Sequence, residues 1–287
     1  MTSDASRKKT WVMTALAVPI MLWTVLPLLW MLALSLKNSR SQSDADQNLF
    51  GNFWPKEPSL ENYDLIFNGA ARELFLPALR NSLVVCLSAT LISVILAMFC
   101  AYAISRLSFP GRRLILGTAL VVSFFPVISL VTPLYDLWRR IGLFDTIPGL
   151  ILPYLSLTLP LSIWIMTAFF KQIPWEMEQA AQVDGATSWE AFRKVIVPLA
   201  MPGVFTTAII TFFTAWNDFV FAISLTSSEK ARTVPAALAF FTGSSQFEQP
   251  TGAIMAASVV VTIPVILLVL VFQQRIVAGL TSGAVKG

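Results

Sequence analysis

The sequence predicts an all-α membrane protein with six transmembrane helices. Hydrophobic residues make up 56% of the 287 residues and charged residues only 13%, a composition far more apolar than that of an ordinary soluble domain. Six apolar runs also reach or approach the roughly 20 residues that a helix needs to cross the hydrocarbon core. These runs are residues 11–35, 81–105, 114–137, 148–170, 203–226 and 251–273.

The first run is expected to remain as a membrane helix. It is longer than the apolar segment of a signal peptide, about 7–15 residues, and no small-residue cleavage site follows it. Prolines within the runs are compatible with membrane helices, because neighbouring helices satisfy the backbone groups that a proline leaves unpaired. They are Pro19, Pro27, Pro126, Pro133, Pro153, Pro160 and Pro264.

Basic residues predict the orientation of these helices, with both termini in the cytoplasm. Residues 7–9 form an Arg-Lys-Lys cluster ahead of the first run, and Arg112 and Arg113 lie in a short loop on the same side. Arg139 and Arg140 oppose this assignment. Basic residues flank the apolar runs instead of forming a stripe with aromatic residues, so we expect no nucleic-acid partner and contact with the lipid bilayer.

Several kinds of chemistry are missing from the chain. It contains no histidine and no Gly-Lys dipeptide, which removes histidine-based catalysis and the phosphate-binding loop of an ATPase. Cys86 and Cys100 lie in one predicted helix, about 21 Å apart, and cannot form a disulfide with each other. We therefore predict no enzyme activity and no metal site, and an energy source on another polypeptide or in an ion gradient.

Residues 171–202, called the polar loop below, form a polar and helix-forming segment between the fourth and fifth apolar runs. Pro174 is suited to a first helical turn, residues 175–183 contain good helix formers, and Gly185 can end that helix in the left-handed conformation. Thr187 and Glu190 then fit a capping box.

The second helix of the polar loop is expected to end at Pro198. Its apolar residues Trp189, Phe192, Val195 and Ile196 share one stripe. This pattern is typical of a hairpin lying on the lipid surface, and equally of an element that docks on a partner protein.

A resemblance favours docking. Glu178-Gln179-Ala180-Ala181-Gln182-Val183-Asp184-Gly185-Ala186, followed by Phe192, Pro198 and Pro202, resembles the EAA loop in permease subunits of binding-protein-dependent ABC importers. Further segments are similar to carbohydrate-type, maltose-permease-like subunits: Phe109–Gly111, Gly142–Thr146, Trp216–Asp218 and the tail Gln274–Gly287. Phe241–Gly252 resembles permeases for trehalose and related α-glucosides.

The resemblance implies a type I ABC importer permease fold, with a cytoplasmic N-terminus (1–10), a six-helix domain (11–273) and a cytoplasmic tail (274–287). It implies that the polar loop enters a cleft of an ATPase subunit. The coupling residues would be Gln179, Ala180, Ala181, Asp184, Gly185, Ala186, Phe192 and Pro198. Gln179 stands where the family usually has Glu, so a neutral hydrogen bond would replace an ion pair there.

The outer loops would meet a sugar-binding protein. Residues 227–250 read as an exposed loop, and the family's matching loop reaches into the cleft of the binding protein. The residues implied in that contact are Thr242, Gly243, Ser244, Ser245 and Gln246. The first outer loop, residues 37–73, is expected to dock on the membrane face and on the same protein.

A sugar pathway needs aromatic faces and polar groups together. The fifth run offers both, in Phe213, Trp216, Asn217 and Asp218. Aromatic residues in membrane helices also serve in packing and in interfacial belts, which is the alternative role for these side chains.

The resemblance therefore implies a permease subunit that carries an oligosaccharide into a bacterial or archaeal cell. Its partners would be a second homologous permease, two cytoplasmic ATPase subunits that hold ATP and Mg, and an extracytoplasmic sugar-binding protein. The alternative is a self-contained ion-coupled carrier, for which Asp218 and Asp136 are candidate relays. A membrane enzyme is disfavoured by the missing catalytic groups.

Overall fold

The computed structural model describes residues 2–38, 53–241 and 250–282. This part of the chain is helical, without strands, as predicted. Its helices are α1 (Thr2–Ser35), α2 (Glu61–Phe67), α3 (Arg72–Arg106), α4 (Arg112–Ser123), α5 (Ile128–Ile141), α6 (Ile147–Gln172), α7 (Trp175–Val183), α8 (Ser188–Ala191), α9 (Val197–Trp216), α10 (Val220–Leu225), α11 (Val234–Leu238) and α12 (Thr251–Ser282). A π-helical segment, Phe192–Ile196, joins α8 to α9.

Five helices in the described ranges are long and apolar enough to cross a membrane: Met13–Ser35, Arg72–Arg106, Ile147–Gln172, Ser188–Trp216 and Thr251–Phe272. Four of the predicted runs, residues 11–35, 81–105, 148–170 and 251–273, coincide with such helices. A sixth span exists if α4 and α5 are counted together.

The third predicted run, residues 114–137, is wrong as a single straight helix. α4 and α5 are bent by 92° at the break between them. Pro126 explains the break, because a proline lacks the N–H that would continue the helix and disfavours helical geometry in the residue before it.

The fifth predicted run, residues 203–226, needs two corrections. The helix begins earlier, at Ser188, and it ends at Trp216. The Asn217 amide donates to Phe213 O at 2.8 Å, and the Asp218 carboxylate accepts from the backbone N–H of Ala222 at 3.1 Å. Such side-chain bonds to nearby backbone compete with helical hydrogen bonds, so the chain breaks here and resumes as α10. Asp218 therefore does not lie within a helix.

The chain divides into two compact units, residues 1–76 with 240–263, and residues 77–239 with 264–287. In the first unit, the outer loop folds onto the end of α1. Asn62 donates to Ser35 O (3.0 Å) and Lys37 O (2.6 Å), and the Trp30 and Phe53 rings are 5.1 Å apart. The loop thus has an intramolecular anchor, and its contact with a binding protein stays a prediction.

In the second unit, α6 lies between α3 and α9. Hydroxyl pairs connect the three helices, Ser93 with Thr158 at 2.6 Å and Ser162 with Thr211 at 2.8 Å. Gly203 permits close approach of α9 to α6, since a Cβ there would lie 2.4 Å from the Phe169 ring. The polar loop connects α6 to α9, so these three packed helices support it.

The segment after α10 is largely buried as far as Phe241, and this corrects its interpretation as an exposed loop. Asn81 donates to Glu229 O and Arg232 O, and the Val234 N–H donates to Ser82 Oγ. The remaining loop residues, Thr242, Gly243, Ser244, Ser245 and Gln246, lie outside the described residues.

Asp145 holds the start of the same segment. Burial raises the pKa of its carboxyl group, but hydrogen bonds from the Ser228 hydroxyl and the Ser227 and Ser228 N–H groups outweigh that effect. The pKa therefore lies below its ordinary value. The carboxylate is ionised at neutral pH and can accept all three bonds.

Candidate functional site: the polar loop and its anchor

The polar loop projects from the ends of α6 and α9 as a helical hairpin. Ile173 and Pro174 are extended, which ends α6 and lets α7 start at Trp175. After α7, the Gly185 N–H bonds to Gln182 O and the Ala186 N–H bonds to Ala181 O. This pair of bonds is a Schellman motif, and Gly185 has the left-handed φ of +89° that the motif requires.

The second arm begins with the predicted capping box. Thr187 Oγ1 accepts from the Glu190 N–H, and Glu190 Oε2 accepts from the Thr187 N–H. The prediction that Pro198 ends this helix is wrong, because Pro198 lies in the first turn of α9. The π-helical segment directly upstream carries a bond from Val197 N–H to Phe192 O. We attribute this wider turn to Pro198, which lacks an N–H and crowds the preceding turn.

Phe192 lies in the chain's own core. Its side chain is 5% exposed and belongs to a cluster with Ala97 and Ala101 of α3, Met166 and Phe170 of α6, and Ile196 and Ala200. The Tyr102 ring stands edge-on to it at a centroid distance of 4.7 Å. Phe192 therefore fixes the base of the polar loop, and any effect on an ATPase subunit would be indirect.

A buried ion pair ties α7 to the end of α3. Arg106 Nε lies 3.6 Å from Glu178 Oε2, with the two residues 9% and 5% exposed. The Tyr102 hydroxyl donates to the other carboxylate oxygen at 2.5 Å. Arg106 also donates to Ile173 O at 2.8 Å and lies over the Trp175 ring. One arginine thus holds both the entrance to the polar loop and its first helix.

Sequence reasoning missed this anchor. Arg106 carried no prediction of a contact, and Glu178 was named only as part of the segment that resembles the EAA loop. Two signals for this pair were available in the sequence. One is a single arginine at the end of an otherwise apolar run, and the other is a glutamate in the first turn of α7. Their pairing depends on how α3 and α6 pack, which no sequence spacing reveals.

The tip of the loop is uncovered. Gln179, Ala180, Asp184 and Gly185 are exposed, and Ala181 and Ala186 are partly exposed. Large apolar side chains are exposed beside them, with Val183 at 86% and Trp189 at 57%. Of the coupling residues implied by the resemblance, the structure thus brings six to the tip, places Phe192 at the base and leaves Pro198 exposed on α9.

The candidate pathway residues do not share one environment. Trp216 is buried and stacked on Phe212 at 5.2 Å, and Asp218 is buried beneath the N–H groups of α10. Phe213 and Asn217 are exposed. Of the four candidate residues, these two have exposed side chains in this structure.

Comparison with known proteins decides the family. Residues 89–282 match the family model described as "Binding-protein-dependent transport system inner membrane component". The chain belongs to this family. The prediction of an ABC importer permease of the type I fold is confirmed.

Curated relatives match most of the chain. It is 54% identical over 265 residues to the trehalose transport system permease protein SugB of Mycobacterium tuberculosis, covering 92% of this chain and 93% of that one. It is 42% identical over 230 residues to the trehalose/maltose transport system permease protein MalG of Thermococcus litoralis, covering 80% and 82%. The solved structure of a bacterial ABC transporter that imports alginate superposes with a TM-score of 0.77 at 21% identity, over 96% of this chain and 98% of that one, and supports the fold.

Replacing Phe192 by Ala should weaken the attachment of an ATPase subunit more than replacing Trp189 by Ala. Truncating a buried Phe costs about 3–5 kcal/mol and would loosen the base of the polar loop, whereas Trp189 is mostly exposed. ATPase co-purification and thermal unfolding of both variants measure this difference. Equal and negligible losses would favour a hairpin that merely lies on lipid.

Proposed function

We propose that this permease carries an oligosaccharide, trehalose or a related α-glucoside, into the cell. It would do so with a second homologous permease, two cytoplasmic ATPase subunits that bind ATP and Mg, and an extracytoplasmic binding protein. This permease chain would have no catalytic residue, and both of its termini would be cytoplasmic. The names of the two curated relatives support the substrate class, since both proteins transport trehalose.

The observation that carries the proposal is the polar loop, with its exposed tip and buried base. A rigid Schellman turn presents Asp184 and Gly185 outward, while the Arg106–Glu178 pair and Phe192 fix the loop to α3 and α6. ATP-driven closure of the ATPase subunits would push this tip. The buried anchor would pass the displacement to the spanning helices, so that the bundle opens alternately to the two sides.

ATP hydrolysis by the reconstituted complex tests the proposed substrate. The binding protein would be loaded in turn with trehalose, maltose, sucrose and glucose. We expect trehalose-loaded protein to stimulate hydrolysis several-fold and glucose-loaded protein to leave it near the basal rate. Stimulation by glucose alone would contradict the substrate class, and purification without any ATPase would contradict the mechanism.

The ion-coupled carrier is the competing function, and Asp218 distinguishes it. The carboxylate accepts N–H bonds from Ala222 at 3.1 Å and Phe221 at 3.5 Å, so it acts as a capping acceptor for α10 from the residue before the N-cap Phe219. Asn caps helices about as well as Asp, whereas Ala costs about 0.5–2 kcal/mol.

We therefore expect Asp218→Asn to retain at least about half of wild-type uptake and Asp218→Ala to lower thermal stability. An ion relay would lose its function in both variants, because Asn cannot take up or release a proton. Abolished uptake in a stable Asp218→Asn variant would favour the carrier.

A further inference from the structure

A basic cavity lies at the end of the bundle that carries the polar loop. It measures about 150 Å³ and is lined by Ile104, Ser105, Arg112, Arg113, Leu116 and Lys171. In the described part of the chain, its lining contains three cations and no carboxylate, and none of these cations forms an ion pair. A concave site with this charge favours an anionic group.

An apolar groove runs along the same helix. It measures about 370 Å³ and is lined by Leu114, Ile115, Thr118, Ala119, Val122 and Pro160. α4 supplies half of the cavity lining and most of the groove lining, and none of its residues is buried against the described chain. From Arg113 to Val122 the helix rises about 14 Å, which is enough to accompany much of an acyl chain.

The two features have the polarity of a phospholipid. Lys171 is at the last turn of α6 and Arg112 begins α4, so the cations lie at the ends of membrane-spanning segments, where headgroups are found. The groove residues of α4 begin at Leu114, directly after Arg113 in the chain, and extend through the apolar part of the helix to Val122. One donor of Arg112 bonds to Leu107 O at 3.0 Å, which orients a guanidinium group that carries five donors.

We propose that the cavity binds the headgroup of an anionic phospholipid whose acyl chain lies in the groove. Charge selects the headgroup, since the three cations can donate to a phosphodiester but offer no acceptor charge for a choline. A soluble phosphate would use the cavity alone and leave the groove empty. The site adjoins the polar loop through Lys171, and its occupancy is independent of the transported solute.

Native mass spectrometry of the full-length chain, purified with the subunits that it assembles with, tests the proposal. The probes are phosphatidylglycerol and phosphatidylcholine with identical acyl chains. We expect the first lipid to bind at least tenfold more tightly. The triple variant R112Q/R113Q/K171Q should bind phosphatidylglycerol on the order of 100-fold more weakly than the wild type does. This expectation assigns a loss of about fivefold to each of the three removed cations.

A matched triple variant, K56Q/R140Q/K230Q, removes the same charge from exposed positions that do not line the cavity. It should retain the affinity of the wild type. Thr118→Trp keeps every cation but fills the groove, and it should weaken lipid binding while leaving inorganic phosphate unaffected.

Three outcomes would overturn the proposal. Equal lipid retention in both triple variants would show only diffuse attraction to charge. Displacement of the lipid by equimolar glycerol 3-phosphate would show a site for soluble phosphate. Lipid bound to the chain when it is released from the complex, but absent from the assembled complex, would show that protein, not lipid, covers the groove.

Discussion

Replacing Gly185 by Asp is expected to abolish transport while the permease still reaches the membrane. Gly185 has a φ of +89°, and no atom lies within 4 Å of the Cβ that a substitution would add. Left-handed geometry costs a non-glycine residue roughly 1–2 kcal/mol, too little to unfold the chain. Loss of transport would therefore come from the new side chain and its charge meeting a partner outside this chain.

Gly142→Asp is the matched control. Gly142 also has a left-handed φ, +75°, with no atom within 4 Å of an added Cβ, but it follows α5 and lies outside the polar loop. Both variants carry the same strain and charge, so only Gly185→Asp should block uptake. Membrane yield, ATPase co-purification and uptake measure the comparison. Normal uptake with normal ATPase co-purification in Gly185→Asp would remove the polar loop from the coupling mechanism.

Replacing Glu178 by Ala is expected to release α7 from the end of α3. It leaves Arg106 buried without its carboxylate, and removal of one partner from a buried pair costs about 3–5 kcal/mol. Uptake should fall at least tenfold, and proteases should cleave within residues 173–187 more readily. Lys194→Ala is the control, since it breaks the exposed Glu190–Lys194 pair, which contributes at most about 0.5 kcal/mol.

A double variant separates folding from coupling. R106M/E178L replaces the pair by apolar side chains, a change that often restores stability because no charge is left buried. We expect the double variant to be more stable than Glu178→Ala but still defective in uptake, because the bonds to Ile173 O and Tyr102 are lost as well. Full uptake in a stable double variant would show that the pair serves the fold alone.

Local patterns in the sequence predicted the local structure well. Gly185 was expected to end α7, and Thr187 with Glu190 to form a capping box, because each device depends on residues only a few positions apart. Four of the six apolar runs likewise coincide with spanning helices. Pro198 was misinterpreted because a proline can be accommodated by a π-helical turn as well as end a helix.

Features that depend on tertiary packing were not predictable. Phe192 was expected to meet a partner, yet α3 and α6 bury it. Asp218 was placed inside a helix, because nothing in the apolar run shows that a new helix begins at Val220 and that the Asp218 carboxylate accepts from its first N–H groups. The Arg106–Glu178 pair joins residues 72 positions apart, and the bundle alone brings them together.

Uptake of labelled trehalose into proteoliposomes tests the central claim most directly. The complex would be reconstituted with trehalose-loaded binding protein on one side and ATP on the other, with and without a protonophore. We predict that uptake requires ATP. When the protonophore collapses the proton gradient at constant ATP, the uptake rate should stay within about twofold of the rate measured without the protonophore. Uptake that persists without ATP, or is lost on collapse of the gradient while ATP is maintained, would contradict an ATP-driven permease.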